Sequence, residues 1–306
     1  MGSGEDECDE ICSDYLGVVA EAGSESEVAS ALSKGLAEGS FGAWDELVMP
    51  AMSGFHPLPS MLRAQLTLAG IDVACERVSG CPYIPLPKTW DDYLAALPAS
   101  ARYMVRRSLR DFSQWAGGSE RIERAETPEG VERGAAILRA LHAERWTGSG
   151  SEGAFASAPF KRFHDRVMPE LWKRNALELM WLTVRGEPLA ALYNVIENGV
   201  VYFYQSGRRL DLPKGIRPGI VLHAEAIRSA IQAGRREYDF LAGDSRYKLD
   251  LALATHPLVT LRATRPSVVE SLRKLGATSL QAARVVRSKL RERMARPAPR
   301  TARAAG

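Results

Sequence analysis

The feature that most constrains the fold is a set of three β-rich runs between residues 177 and 207. The first run alternates apolar and other residues from Leu177 onward, and the next two read LAALYNVI and VVYFYQSG. The sequences RGEP and ENG separate the runs, and glycine in such short connections is typical of tight hairpin turns. The pattern therefore predicts an antiparallel meander of three strands.

A loop rich in basic residues, glycine and proline follows the meander. It reads RRLDLPKGIRPG over residues 208–219, and a helical pattern begins at its end and runs to about residue 233. A helix N-terminus offers free N–H groups and partial positive charge, which suit a phosphate or pyrophosphate. The loop therefore predicts a phosphate-binding joint built from Lys214, Gly215, Arg217 and Gly219. A loop that is only capped by glycine, with no ligand, is the alternative.

Helices and strands on both sides of the meander complete the predicted domain. Helical patterns cover residues 127–146 and 157–174 before it, and strand patterns cover residues 238–241 and 257–263 after it. This order predicts an α+β fold in which helices pack on a mixed sheet.

The first third of the chain alternates weaker strand and helix patterns. They predict part of a second α/β unit over residues 1–98, but no meander that completes it. The predicted strands are residues 14–20, 44–49 and 71–78, and the predicted helices are residues 24–38 and 58–69.

An amphipathic helix is predicted over residues 99–117. Its apolar stripe consists of Val105, Leu109, Phe112 and Ala116. Arg102, Arg106 and Arg110 form a column at a spacing of four, where like charges repel each other by a few tenths of a kcal/mol per pair. The column favours an anionic partner, although a solvated face balanced by nearby acids such as Asp111 explains it equally well.

The charge of the chain is balanced overall but uneven along it. The net charge is +3, whereas residues 1–30 hold nine acids and no Lys or Arg, and residues 266–306 hold ten bases and two acids. A helical pattern over residues 266–296 followed by a basic end predicts a helical or disordered tail over residues 266–306. This tail either docks on its own domain or contacts an anionic membrane surface.

Several classes of protein lose their support from the sequence. No apolar run is long enough for a transmembrane helix and the acidic start does not resemble a signal peptide, so we expect a cytoplasmic protein. The cysteine spacings at 8–12 and 75–81 do not match a zinc site, and we predict no metal. No Gly-x-Ser-x-Gly, His-Glu-x-x-His or Walker sequence occurs, which disfavours hydrolases, zinc proteases and nucleotide triphosphatases.

The sequence resembles the GNAT-type acetyltransferases of the CelD-like or FemAB-like group. The resemblance rests on WDDYLAALPASARYMVRRSLRDF (90–112), LHAERW (141–146), RPGIVLHAEAI (217–227) and YDFLAGDSRYKL (238–249), with SDYLG (13–17) similar to an earlier segment. It implies two GNAT-like units, a partial one over residues 1–98 and a complete acyltransferase domain over residues 99–265. Relatives carry more chain before the SDYLG segment, so the first unit is expected to be shortened.

The candidate catalytic residues lie mainly in YDFLAGDSRYKL. Asp239 sits in a short apolar strand, where burial raises the pKa of a carboxyl toward the range of a general base. Asp244, Tyr247 and Lys248 complete the cluster, and an internal salt bridge that pins the loop is the alternative. Glu144 in LHAERW is a second candidate base. The resemblance further implies that backbone N–H groups near Tyr204 and Ser206 hold the carbonyl oxygen of the donor.

The expected function is acyl transfer from acyl-CoA, such as acetyl-CoA, to an amine. The resemblance implies an amino sugar or another small amine as acceptor, in polysaccharide or cell-envelope biosynthesis, and no permanently bound cofactor. A Fem-type transferase that takes aminoacyl-tRNA is one rival, and its RNA phosphates would contact the Arg102–Arg110 face. A GNAT-fold accessory protein without catalysis is the other.

Overall fold

The structure is a computed structural model that describes residues 13–147, 153–243 and 245–265, apart from the side chain of Val78. The chain divides into two compact units. The first consists of residues 1–17, 50–56 and 76–260, and the second of residues 18–49, 57–75 and 261–306. The predicted tail, residues 266–306, lies outside the described residues.

Helices and strands are interspersed along the described chain. The helices are α1 (Glu25–Glu38), α2 (Leu58–Leu68), α3 (Trp90–Ala96), α4 (Ala99–Ala116), α5 (Pro128–Thr147), α6 (Ala158–Lys173), α7 (Pro218–Gln232) and α8 (Arg246–Leu251), with a 3-10 turn at Ala154–Ala156. The strands are β1 (Glu46–Ser53), β2 (Asp72–Pro85), β3 (Glu120–Arg124), β4 (Leu177–Val184), β5 (Glu187–Glu197), β6 (Val200–Arg208), β7 (Glu237–Asp239) and β8 (Ala254–Thr264).

The first unit is built on a mixed sheet. It holds all or part of every strand, in the order β1-β8-β2-β7-β6-β5-β4-β3. The predicted meander is confirmed, since β4, β5 and β6 pair in antiparallel fashion. Arg185-Gly186 and Asn198-Gly199 form its turns, and all four residues have positive φ, as the tightest hairpin turns require. The predicted mixed sheet flanked by helices is therefore confirmed.

Both faces of the meander are buried. Successive strand residues point to opposite sides, and each side packs against its own helices. Met180, Leu182 and Tyr238 belong to one apolar core together with residues of α4 and α7. Leu179 and Trp181 belong to the other core, together with residues of α5 and α6. The sheet thus has an α4/α7 face and an α5/α6 face.

One parallel pairing interrupts the antiparallel sheet. Helix α7 connects β6 to β7, and the two strands pair only from Val200–Tyr202 to Glu237–Asp239. Strand β6 then continues for six residues to Arg208, whereas β7 ends at Asp239 because the chain leaves strand geometry at Leu241, whose φ is +56°. The two strands therefore separate beyond Tyr202 and Asp239, and we call this opening the fork.

The second unit has a small core of its own. Helices α1 and α2 bury Ala29, Leu36, Leu62 and Leu66. The indole of Trp44 donates a hydrogen bond to the carbonyl of Leu36 at 3.1 Å, and the guanidinium of Arg265 lies 4.9 Å from the Trp44 ring.

Several local predictions need correction. Residues 14–20 are not a strand, because Tyr15 has a φ of +57° and the segment attaches to residue 51 by the Leu16 N–H. The strand predicted at 238–241 stops two residues early, at Asp239. Strand β3 and the short helices α3 and α8 were not predicted. Within the described residues, no helix is long and apolar enough to cross a membrane.

Gly207 is expected to tolerate no side chain. A Cβ placed there would lie 2.6 Å from the carbonyl carbon of Leu141 and closer still to the N–H of His142, so the backbone of α5 would have to move. We expect Gly207→Ala to lower the free energy of unfolding by about 1–3 kcal/mol in urea denaturation, as overpacking does. Gly17→Ala is the control, because a Cβ there meets no atom within 4 Å. Equal stability of both variants would contradict the close approach.

Candidate functional site

A cavity of about 610 Å³ lies in the first unit, on the side of the fork where α7 begins. Strand β5, the end of β6, the start of α7 and the start of α4 form its walls. Its polar lining comprises Ser100, Arg145, Ser206, Arg208, Arg217, His223, Arg246, Tyr247 and Asp250. We call it the arginine cavity.

Four arginines from separate segments converge on this cavity, namely Arg145, Arg208, Arg217 and Arg246. One acid among the lining residues, Asp250, lies 3.8 Å from Arg246. Burial lowers the pKa of Arg208, and the positive charge of Arg145 lowers it further. Gathering like charges in a half-enclosed space costs free energy that a bound anion recovers, so the cavity is suited to a polyanionic ligand.

The predicted phosphate loop contributes in part. Arg217 and Gly219 line the cavity at the start of α7, whereas Lys214 and Gly215 are not among its lining residues. Gly215 has a φ of +98°, so the loop needs glycine there for its backbone conformation. A Cβ at Gly219 would meet its nearest atom, Arg208 Cδ, at 3.7 Å, which is ordinary contact. Helix α7 has 15 residues, and its N-terminus adds partial positive charge.

Uncharged side chains complete the cavity wall. Burial lowers the pKa of His223 to about 3, with the positive charge of Lys248 as the next cause, and its Nδ1 lies 3.3 Å from the Tyr238 hydroxyl. Burial raises the pKa of Tyr247 to about 12. Arg145 donates a hydrogen bond to the Ser206 hydroxyl at 3.2 Å, which fixes this guanidinium at the end of β6. His223 and Tyr247 therefore add no charge to the cavity wall near neutral pH.

Asp239 is a buried carboxyl at the base of the fork. Its side chain accepts hydrogen bonds from the Tyr15 hydroxyl at 2.5 Å and from the Leu241 N–H at 2.7 Å. Burial raises the pKa of Asp239 to about 6, although the two hydrogen bonds act in the opposite direction. Such a carboxylate is ionised at neutral pH and is a stronger base than an ordinary aspartate.

Lys248 and Asp14 hold the loop that follows Asp239. The ammonium of Lys248 donates to the carbonyl of Ala242 at 2.6 Å, and Asp14 accepts from the Ala242 N–H at 2.8 Å. Burial lowers the pKa of Lys248 and raises that of Asp14. Lys248 is thus a loop-fixing residue close to Asp239, and Asp244 lies outside the described residues.

Strand β6 connects the cavity with Asp239 of β7, because it pairs with Asp239 at Tyr202 and lines the cavity at Ser206. Tyr202 pairs with Asp239, and Ser206 lines the cavity four residues later, about 13 Å away in extended chain. Between them, Tyr193 pairs with Gln205 and Asn194 with Phe203, so Tyr204 is the additional residue of a β-bulge. The structure therefore brings Tyr247, Ser206 and Arg217 together at the cavity and Lys248 close to Asp239, as two separate groups. The hydroxyl of Tyr204 contacts His164 Nε2 at 3.1 Å instead.

Glu144 is engaged elsewhere. Its carboxylate accepts a hydrogen bond from the Leu210 N–H at 3.0 Å, and it is not among the cavity residues. Its role as a base stays a prediction, and the contact indicates that it anchors the loop after β6. Its neighbour His142 is buried against Phe155, and burial lowers the pKa of His142 to about 4.

Glu237, Asp239 and His256 place ligand atoms within 4.8 Å of one another, a spacing that a metal ion can use. In the structure, however, His256 Nε2 contacts Glu237 at 2.8 Å, and both Asp239 oxygens accept hydrogen bonds. These contacts engage His256 and both oxygens of Asp239 within the chain, so we do not assign a metal site here.

Some site residues escaped sequence reasoning. Arg208 stands in the basic loop and Arg145 beside Glu144, but their convergence depends on the packing of α5 against β6. Tyr15 is 224 residues from Asp239 in the sequence. It belongs to the SDYLG segment, which supported the family resemblance but suggested no role for Tyr15.

The comparisons with known proteins agree with this fold. Residues 99–249 match the family described as "Acetyltransferase (GNAT) domain", which supports an acyltransferase-type enzyme. None of the curated proteins matches the sequence. The finer likeness to the CelD-like group stays a prediction.

Three solved structures share the GNAT-like architecture. FemX is 11% identical, with a TM-score of 0.56, covering 85% of this chain and 81% of its own. A conserved protein of unknown function from Bacteroides thetaiotaomicron is 12% identical, with a TM-score of 0.57, and the match covers 78% of this chain and 76% of that protein. The C-terminal domain of a putative lysylphosphatidylglycerol synthetase from Agrobacterium fabrum is 14% identical, with a TM-score of 0.51. The match covers 82% of this chain and 76% of that domain. At these identities the likeness shows the fold.

The raised pKa of Asp239 predicts a pH-dependent stability. Its value is about 6 in the folded chain against an ordinary 3.8, so the folded state binds more protons between these values. The free energy of unfolding should therefore fall as the pH rises from 4 to 6, by up to about 3 kcal/mol from this group. The Asp239→Asn variant has no carboxyl at this position, so its stability does not fall over this pH range. The Tm of the variant minus that of the native chain should therefore be larger at pH 8 than at pH 4.

The control is Asp91→Asn, because Asp91 is an exposed aspartate in the first turn of α3. Its Tm difference from the native chain should be the same at both pH values. If Asp239→Asn behaves in the same way as this control, the burial of an ionised carboxylate at the fork is wrong.

Proposed function

We propose that the chain is a GNAT-type acyltransferase that takes acyl-CoA as donor and a primary amine as acceptor. The observation that carries the proposal is the arginine cavity, whose lining includes four arginines from separate segments and the first residues of α7. A CoA pyrophosphate is the polyanion that such a site accommodates. The expected cytoplasmic location and the role in polysaccharide or envelope biosynthesis stay predictions.

The arrangement along β6 suits a long, thin donor. The phosphates occupy the arginine cavity at Ser206–Arg208, and the acyl arm follows β6 toward Tyr202 and Asp239. The bulge at Tyr204 lies on this path and redirects the backbone there, as bulges beside active sites do. We assign the backbone near Tyr204 and Ser206 to the carbonyl oxygen of the thioester.

The chemical step needs one base. The amine nitrogen attacks the thioester carbon, the new C–N bond forms, and the C–S bond breaks to release the CoA thiolate. Asp239 takes the proton that the amine gives up, and this proton can then pass to the thiolate, so the overall step is proton-neutral. Tyr15 and Lys248 hold the carboxylate and its loop in place.

Variants of Arg217 and Lys214 distinguish a donor-binding site from a loop that is basic but binds no donor. Both belong to the loop before α7, but only Arg217 lines the cavity. In isothermal titration with acetyl-CoA, we expect Arg217→Ala to raise the Kd about tenfold, as the loss of a charged hydrogen bond does. Lys214→Ala is the matched control and should change the Kd less than about twofold. Absence of acetyl-CoA binding by the folded native chain would sink the acyl-CoA proposal.

A second candidate donor is aminoacyl-tRNA. The exposed face of α4 favours it, because Arg106 and Arg110 lie on that face while Ser100 and Met104 of the same helix line the cavity. Against it, Asp111 pairs with both Arg107 and Arg110 at 3.0 Å and neutralises part of the column. FemX and the putative lysylphosphatidylglycerol synthetase share the fold of this chain, but at 11% and 14% identity a shared fold does not identify the donor. Experiment has to choose between the two donors.

Salt dependence tests this second candidate. If tRNA phosphates bind the column, the logarithm of the affinity should fall linearly with the logarithm of the salt concentration. Arg106→Ala should then reduce the slope by about one, as loss of one phosphate contact does. Filter binding or fluorescence anisotropy with mixed tRNA measures both. The control Arg174→Ala removes an arginine of the segment after α6 and should leave the slope unchanged.

A further inference from the structure

A group of aromatic side chains lies on the side of Asp239 that the arginine cavity does not use. His256 stacks on Tyr83 with ring centres 3.7 Å apart, and Tyr15 meets His256 at 6.2 Å and Tyr202 at 6.4 Å, both edge to face. Phe55 meets His256 at 5.4 Å, also edge to face. We call these five rings the aromatic recess, and all of them belong to the first unit.

The recess is open to solvent. Its tyrosines and His256 are half-buried, and the ring of Phe55 is 66% exposed. The backbone keeps Phe55 in place, because the N–H of Gly54 donates to the Pro257 carbonyl at 2.8 Å and a Cβ at Gly54 would meet Pro257 at 3.0 Å. The exposed phenyl ring, in edge-to-face contact with His256, adds apolar surface at the recess that a ligand can cover.

Acidic groups stand at the edge and at the base of the same recess. Glu237 is half-buried and contacts His256 Nε2 through Oε1 at 2.8 Å. Asp239 is buried behind it and bonded to the recess residue Tyr15. Carboxylates beside aromatic faces attract ammonium groups by charge and by the negative potential of the rings.

We propose that the aromatic recess, with Glu237 and Asp239, is the acceptor site, and that it takes a primary amine carried on a sugar ring. The inference rests on the proposed function, since Asp239 serves there as the base. The C–H face of a sugar packs as apolar surface on aromatic rings, and Glu237 receives the ammonium beside Asp239. The ammonium gives one proton to solvent before the neutral amine attacks. The neutral N-acetylated sugar lacks the ammonium and is rejected.

A divalent cation is the competing occupant of the same acids. Three features favour the amine. A metal ion has no use for the exposed ring of Phe55, and both oxygens of Asp239 already accept hydrogen bonds from Tyr15 and Leu241. A metal would also replace the contact between His256 and Glu237.

Binding of glucosamine to the full chain, followed by NMR titration in the presence of EDTA, tests the proposal. We expect Glu237→Gln to raise the Kd about tenfold and Phe55→Ala to raise it about fivefold, from the loss of one charge and one ring. Phe55→Tyr keeps the ring and should stay within about twofold of the native chain. N-acetylglucosamine should bind at least about tenfold more weakly than glucosamine.

The matched control is Phe41→Ala, because Phe41 is 63% exposed but belongs to the second unit. It should leave the Kd for glucosamine unchanged. Equal binding of both sugars, unchanged binding by Glu237→Gln and Phe55→Ala, or binding that EDTA abolishes would each overturn the proposal. Circular dichroism shows whether each variant is folded.

Acetyl-CoA titration of the same variants separates this proposal from the proposed function. Glu237→Gln and Phe55→Ala should bind acetyl-CoA as the native chain does, since neither residue lines the arginine cavity. Normal acetyl-CoA binding without the glucosamine pattern would refute the acceptor site alone. The glucosamine pattern without acetyl-CoA binding would refute the donor and leave the recess as an amine site.

Discussion

The early end of β7 is the constraint on which the candidate site depends. The strand has three residues, and its hydrogen bonds with β6 stop at Tyr202 and Asp239, so the sheet opens where β6 continues toward Arg208. Leu241, with a φ of +56°, takes the chain out of strand geometry, and Asp14 and Lys248 hold Ala242 in the resulting loop. A longer β7 would close the fork, bury the backbone of β6 and remove the path between the arginine cavity and Asp239.

The electrostatics of the two regions are opposite in sign and linked. The cavity gathers four arginines, whereas Asp14, Glu237 and Asp239 lie around the other end of the fork. Lys248 connects them, because its pKa responds to Asp14 and Asp239 and, in the opposite direction, to Arg145. An anionic donor and a cationic acceptor would each find the complementary field, which would orient the two substrates relative to each other.

Sequence reasoning recovered the parts of this design that depend on local pattern. The meander, its two glycine turns, α4, α5, α6 and α7 follow from periodicity and turn chemistry over short stretches. Arg217, Gly219 and Asp239 were named from the same local patterns; the structure places the first two at the cavity and buries the third, and their roles stay predictions. Their partners were missed, because Tyr15 reaches Asp239 across 224 residues and Arg145 reaches Ser206 across 61. Such contacts come from sheet order, which a single sequence does not encode locally.

The alternation of side chains across the sheet places one further demand on the reaction. Tyr238 belongs to the core on the α4/α7 face, so its neighbour Asp239 points to the opposite face. The cavity lies on the α4/α7 side, where His223 and Ile220 of α7 form its wall. A donor whose phosphates are held by the arginines can therefore bring its carbonyl to Asp239 only through the fork. The aromatic recess lies on the face of Asp239, so an acceptor amine bound there would reach the donor carbonyl from the side of the sheet opposite to the arginine cavity.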